Sequence, residues 1–251
     1  MRNKKVSLEN SRSSRKPEWT AVLVIALVMV AFAFALDGSG GVFSHSALAA
    51  APEFERKAGG KVLPPTARPH GYSLAQMAKV TAVFNTSDHS GMPPDTPIQM
   101  LYTAAGSSTN TFDVSDDTVF YVPVFFVDDS PLIAGDFPYF AFGEDAEDSG
   151  GRKALLNYVY AENELGVDSM EIKVDGKVFS LGSDYVVGVT TPPLSDGGGI
   201  HYIPIAAFLS PLPKGPHTVE IDGFSDGKAL IPFFPPNGAW PFSTSYTLNV
   251  H

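Results

Sequence analysis

Along the last third of the chain, apolar and polar side chains alternate one by one. Phe242 to Val250 keeps this alternation to the final residues, and His217 to Asp222 shows it too. A period of two is typical of a strand with one buried face. We therefore predict a strand at both places, with the end of the chain paired inside a sheet. Lys228 to Phe234 is predicted as a third strand between them.

Earlier segments show two other strand patterns. Thr118 to Val127 is the most apolar run after residue 50, and its β-branched and aromatic residues predict a strand buried on both faces. Pro123 inside it requires a bulge or a free edge. Met170 to Val174 and Lys177 to Ser180 alternate around Asp175-Gly176, which predicts a β-hairpin because both turn residues need positive φ. Further strands are predicted at 98–103, 184–190 and 203–209.

Two segments have helical spacing instead. Leu74 to Phe84 places apolar residues every three or four positions, and Ser73 before it is a suitable N-cap. Arg152 to Leu165 is a second candidate helix, with Gly166 as its stop signal. Residues 50–70, rich in proline and glycine, are predicted to be a linker. Residues 71–251 are then predicted to be a single mainly β domain, an Ig-like or jelly-roll antiparallel sandwich with two short helices.

The amino-terminal segment carries an export pattern. Six basic residues in the first twenty precede an uncharged apolar run from Ala21 to Leu36. A basic start followed by an apolar core is typical of a signal peptide or of an uncleaved anchor, here residues 19–36. Ala47-Leu-Ala49 and Ala33-Phe-Ala35 are both candidate cleavage sites. Residues 1–49 are thus a signal peptide or membrane anchor, and either alternative makes the domain secreted or cell-surface, with membrane contact only through this segment.

Composition excludes several classes of partner and site. Residues 1–49 hold six of the 17 basic and three of the 27 acidic residues, so the remainder has 11 and 24, a net charge of −13. An acidic domain is a poor partner for nucleic acid or anionic lipid, because both require a cationic face. The chain has no cysteine, which excludes disulfides, thiolate nucleophiles and zinc–thiolate sites.

Several short segments between residues 71 and 250 together resemble a known group of proteins. They are the GYSLAQ stretch beginning at Gly71, the apolar run at 118–127, the Asp175-Gly176 hairpin, the LSPLPKGPHTVEI stretch ending at Ile221, and the final YTLNV. Exported microbial β-sandwich proteins of unknown function are similar in these features. The resemblance implies a β-sandwich and export, and it supplies no catalytic residues.

An acidic loop region is the candidate metal site. Grouped carboxylates in loops suit Ca²⁺, which binds six to eight oxygen ligands in flexible geometry. The alternative is a solvated acidic surface, since no EF-hand spacing is present. The candidate ligands are Asp128, Asp129, Asp136, Glu144, Asp145, Glu147 and Asp148.

Three other residues are candidates for ligand binding. Trp240 lies in a loop rich in proline and aromatic residues, where an indole can stack on a sugar ring or a partner protein. His201 and Tyr202 follow the Gly197–Gly199 loop. No Gly-x-Ser-x-Gly or His-Glu-x-x-His sequence is present.

These observations support two functional hypotheses. The first is a non-catalytic structural or binding module at the cell envelope or outside the cell, with carbohydrate or an envelope protein as partner. The alternative is a secreted, glycosidase-like hydrolase using loop carboxylates. A flat aromatic patch around Trp240 would favour the first, and a cleft with two converging acids near His201 would favour the second.

Overall fold

The computed structural model describes residues 59–103, 110–142 and 149–251. These residues form two α-helices, nine β-strands and short 3-10 turns. The helices are α1 (Leu74–Asn85) and α2 (Ser149–Tyr160). The strands are β1 (Gln99–Met100), β2 (Thr111–Val114), β3 (Phe120–Asp128), β4 (Val167–Val174), β5 (Lys177–Ser180), β6 (Val189–Thr190), β7 (His201–Leu209), β8 (Gly215–Ser225) and β9 (Trp240–Val250). The prediction of a mainly β fold with two helices is confirmed.

The strands form two sheets. The first sheet has the order β1-β3-β7-β6, and the second has the order β2-β9-β8-β4-β5. Apolar side chains from both sheets share one core, with members such as Val122, Ile205, Ile172, Val219 and Leu248. We call it the inter-sheet core. Helix α2 packs against it through Leu155, Tyr158 and Val159.

Helix α1 covers the opposite face of the first sheet. Leu74, Met77 and Phe84 pack against Tyr121 and Phe208. The helix begins with the expected cap, because the Ser73 hydroxyl accepts from the Gln76 N–H and the Gln76 side chain accepts from the Ser73 N–H. The described part of the molecule therefore has three layers, a helix, a buried sheet and a second sheet with one solvated face.

Several strand predictions are confirmed. Strand β9 alternates buried and exposed positions from Ser243 to Val250. Asp175 and Gly176 have φ values of 50° and 79°, as the predicted hairpin turn requires. Strand β3 is buried on both faces over its first half, and its pairing register shifts between Pro123 and Phe125, which is the predicted bulge.

Other expectations were wrong in detail. The pairs β1–β3 and β2–β9 are parallel, so neither sheet is purely antiparallel. Residues 228–234 are not a strand, because Lys228–Leu230 is a 3-10 helix followed by turns, and β8 pairs directly with β9 over eleven residues. The predicted strand at 184–190 is reduced to β6, preceded by the 3-10 turn Ser183–Tyr185. Helix α2 ends at Tyr160, and Gly166, with φ of 58°, lies in the turn beyond it.

The amino-terminal predictions concern residues that the structure does not describe. Residues 1–58 lie outside the described residues, including the signal or anchor segment. Residues 59–70 are described, and they contact β7: Val62 forms a β-bridge with Leu209, and the Gly60 N–H donates to the Pro211 carbonyl. Within the described ranges, no helix is both long and apolar enough to span a membrane.

Candidate functional site

The second half of β3 forms one side of a cleft. Strand β1 pairs with β3 only at Phe120 and Tyr121, and among the described residues no strand pairs with this side of β3 beyond them. Two cavities lie along this free edge, and both are lined by Phe125, Phe126 and Trp240. We call the two cavities and their shared wall the edge cleft. An unpaired edge next to apolar cavities is where a sheet protein has room for a ligand.

The first cavity combines an apolar body with one acidic wall. Its volume is about 110 Å³. Tyr158, Leu230, Phe233 and Phe234 are among its apolar lining residues, and Asp128, Ser130 and Asp196 form the polar part.

Ser130 connects the two carboxylates. Its backbone N–H donates to Asp128 Oδ1 at 2.7 Å, and its hydroxyl donates to Asp196 Oδ1 at 2.7 Å. Ser130 therefore holds the two carboxylates near each other on one wall of the cavity. Burial and, to a smaller extent, the neighbouring Asp196 carboxylate raise the pKa of Asp128, while two hydrogen bonds from Ser130 lower it. The resulting pKa is about 6.

A glycine-rich loop brings Asp196 to this position. A Cβ on Gly197 would lie 2.3 Å from the Pro131 ring, and one on Gly199 would lie 2.6 Å from Asp129 Oδ1. The loop therefore packs against residues 129–131 in a way that only glycine allows. This close packing explains why Asp196 reaches Ser130, 66 residues earlier in the chain.

The second cavity has a neutral polar wall. Its volume is about 80 Å³, and its described lining residues include no Asp, Glu, Lys or Arg. Asn85 and His89 supply the polar groups, while Tyr102, Phe242 and Tyr246 extend the aromatic lining. Asn85 is completely buried, and its amide nitrogen donates to the Tyr202 hydroxyl at 2.8 Å. Its Oδ1 has no hydrogen-bond partner among the described residues.

Trp240 is the centre of an aromatic cluster between the two cavities. Its ring lies parallel to Phe234 with centroids 5.5 Å apart, and it also contacts Phe125 at 5.6 Å and Phe242 at 4.9 Å. Aromatic packing of this kind holds a ring in a fixed orientation. The indole is half-buried and forms the wall of a cleft instead of projecting from a surface loop.

His201 and Tyr202 lie on β7 near the cleft but line neither cavity. His201 Nδ1 is 2.7 Å from Asp129 Oδ2, and the ring packs between Phe142 and Tyr139. Tyr202 is fully buried, and burial raises its pKa well above the ordinary value. Its hydroxyl accepts a hydrogen bond from the amide of Asn85, a lining residue of the second cavity.

The described candidate metal ligands are not grouped. Asp129 Oδ1 accepts from the N–H groups of Ile200 and His201, and the Asp136 N–H donates to Glu164. Within the described ranges, no three His, Asp or Glu side chains are arranged to hold a metal ion. Four of the seven candidates, Glu144, Asp145, Glu147 and Asp148, lie outside the described residues.

Comparison with models of known protein families, with curated proteins and with solved structures gave no match. The site must therefore be interpreted from its own chemistry. Trp240, predicted as a ligand contact, and Asp128, predicted as a metal ligand, both line the edge cleft. Asn85, His89, Ser130 and Asp196 line it too and were not predicted, because nothing in the local pattern links α1, the 195–200 loop and the edge of β3.

Proposed function

We propose that this chain is an exported, non-catalytic binding module of Ig-like or jelly-roll type that holds a small ring-bearing ligand in the edge cleft. The observation that carries the proposal is Trp240, whose ring is the shared wall of both cavities and is oriented by Phe125, Phe234 and Phe242. Export is supported by the basic and apolar pattern of residues 1–36.

The lining favours a ligand bound mainly by its apolar surface. Besides Trp240, eight Phe and Tyr side chains are among the lining residues of the two cavities: Tyr102, Phe125, Phe126, Tyr158, Phe233, Phe234, Phe242 and Tyr246. Aromatic walls bind flat or ring-shaped surfaces, which include an aromatic ring and the apolar face of a sugar.

Tryptophan fluorescence tests this proposal directly. The chain has two tryptophans, so the full-length chain carrying Trp19→Phe reports on Trp240 alone. Titration with benzene as an apolar ring, and with cellobiose as a sugar, should give a saturable change in emission for at least one probe. Trp240→Phe should weaken that binding in calorimetry, whereas Phe140→Ala should not, because Phe140 is 72% exposed and outside both cavities. If neither probe binds, the ligand-binding proposal fails and a structural role of the chain is the remaining interpretation.

A second candidate, a secreted hydrolase, is favoured by the Asp128–Asp196 pair. Two neighbouring carboxyl groups, one of which has a raised pKa, can supply acid and base at one place. A pair of interacting aspartates is the acid–base arrangement of aspartic proteases, so proteolysis is the test of this candidate. Casein cleavage between pH 4 and 7 should disappear in Asp128→Asn and Asp196→Asn and persist in the exposed Asp168→Asn. Cleavage that survives in all three variants, or none in the unaltered chain, excludes this role.

A further inference from the structure

The second cavity contains a buried hydrogen-bond acceptor without a donor. Asn85 is the last residue of α1, and none of its surface is exposed. Its amide nitrogen is committed to the Tyr202 hydroxyl at 2.8 Å, while Oδ1 has no partner among the described residues. Buried polar atoms in folded proteins are nearly always paired, because leaving them unpaired has a desolvation cost. This oxygen therefore marks a place where a donor from outside the chain belongs.

The bond to Tyr202 leaves Oδ1 as the free atom of the amide. Tyr202 is fully buried and pairs in register with Asp128 on β3, so its hydroxyl stays beside Asn85 and occupies the nitrogen end of the amide. At the end of α1, the next residue Thr86 bonds back to Ala82 through both its N–H and its hydroxyl. The backbone at Asn85 is therefore held in the helix, and its side chain has no exposed surface.

His89 adds a second neutral acceptor to the same wall. Its Nδ1 lies 2.7 Å from the Thr103 carbonyl, which only accepts hydrogen bonds, so the proton is on Nδ1 and Nε2 is left as an acceptor. Burial lowers the pKa of His89, and this outweighs the opposing effects of Thr103 and Asp88, which keeps the ring neutral. The ring packs between Phe84 at 5.2 Å and Tyr102 at 5.6 Å.

We propose that the second cavity selects a neutral, largely apolar small molecule that carries one O–H or N–H donor, directed at Asn85 Oδ1. The inference rests on the proposed function and specifies the ligand class. A cation would find no carboxylate on this wall, and an anion would meet acceptor lone pairs and no basic side chain. The aromatic remainder of the lining holds the apolar body of the ligand.

Phenol, anisole and benzene test the donor requirement in the full-length chain carrying Trp19→Phe. The three share a ring, and only phenol has a donor. Calorimetry should show phenol binding about tenfold more tightly than benzene or anisole, the ratio expected from one net hydrogen bond. Trp240 emission should saturate with the same affinity, which shows that the probe binds in the edge cleft.

Variants then identify the acceptor. Asn85→Leu should remove the phenol preference and keep benzene binding, whereas Asn157→Leu, an exposed asparagine on α2, should leave the preference unchanged. Equal affinities for the three probes would overturn the donor inference while the proposed function stands. A phenol preference that persists in Asn85→Leu would also overturn it. If none of the three binds, the inference fails, and the cellobiose titration decides whether the proposed function fails with it. The phenol–anisole comparison needs no variant, so it decides the question even if Asn85→Leu does not fold.

Discussion

Two neighbouring aspartates show how strongly a single residue depends on its surroundings. Burial alone would raise the pKa of Asp129, but the N–H groups of His201 and Ile200 together with the His201 ring lower it overall. Asp128, one residue earlier, points to the first cavity, and burial with the nearby Asp196 raises its pKa to about 6. Adjacent positions in the chain thus hold one stably ionised carboxylate and one that gains a proton easily.

Replacing Asp129 should destabilise the protein. In Asp129→Ala, the Ile200 N–H, the His201 N–H and the His201 ring lose their acceptor in a place where the Asp129 side chain is only 8% exposed. The Ile200 N–H can turn to solvent, but the part-buried His201 N–H and ring lose their partner, so the free energy of unfolding should fall by about 2 kcal/mol. Chemical denaturation should show this loss, and the exposed Asp168→Ala should change it by less than about 0.5 kcal/mol. A similar value for both variants would mean that Asp129 is not structural.

Asp128 should make stability fall as the pH rises. Its folded pKa of about 6 lies above the ordinary 3.8, so between these values the folded state binds more protons than the unfolded state. The free energy of unfolding therefore decreases from pH 3.8 to about 6 and then levels off. Asp128→Asn should remove this component, and Asp196→Asn should reduce it. The measurement is the difference between variant and unaltered chain across pH 3 to 8, and a flat difference for Asp128→Asn contradicts the prediction.

The sequence could suggest these residues but not their roles. Asp128 and Asp129 were predicted together as candidate calcium ligands, because the two carboxylates are adjacent in the sequence. The sequence does not show which groups each carboxylate contacts. The partner of Asp129 is 72 residues away, and Asn85 reaches Tyr202 across 117 residues. Long-range pairing depends on the register of β3 against β7, which local patterns do not specify.

Secondary-structure elements were predicted correctly where a signal within a few residues of the sequence determines them. The cap at Ser73 and the Asp175-Gly176 turn predicted α1 and the β4–β5 hairpin, since each uses backbone chemistry within a few residues. Residues 228–234 were wrongly predicted as a strand because they are rich in apolar side chains. In the structure, several of these side chains line the first cavity, and the segment does not pair in a sheet. Leu230 and Phe234 reach the core from 3-10 and turn geometry, which the period-two pattern cannot reveal.

The hairpin turn supplies a matched pair of glycine variants. Gly176 has φ of 79° with open space around its Cβ position, while Gly182 also has open space but an ordinary φ of −82°. Gly176→Ala should therefore lower the free energy of unfolding by about 1 kcal/mol, from backbone strain without any clash. Gly182→Ala should be neutral or slightly stabilising. Denaturant midpoints measure both, and equal changes would mean that the turn tolerates a side chain.

For the whole molecule, the sequence predicted many strands and two helices but not the directions of pairing. Strand β1 enters after α1, and the chain crosses to β2 in the second sheet before it returns as β3. This long connection makes β1 and β3 parallel, whereas the predicted sandwich assumed consecutive antiparallel strands. The same topology ends β1 after two residues and so leaves the edge of β3 open for the edge cleft. The departure from the predicted fold and the candidate site thus have one cause.

The three layers should unfold as one unit, because β3 and β7 contribute side chains both to the inter-sheet core and to the contact with α1. Met77→Ala empties a fully buried position under α1, which should lower the free energy of unfolding by about 3 kcal/mol. Val80→Ala on the same helix, at a position 42% exposed, should change it little.

In the Trp19→Phe background, Trp240 emission reports on the edge cleft and far-ultraviolet circular dichroism reports on the whole chain. The two unfolding curves should shift together in Met77→Ala, since loss of α1 uncovers the sheet that holds both sides of the cleft. If the Trp240 transition stays in place while the dichroism transition moves, α1 is a separately unfolding layer.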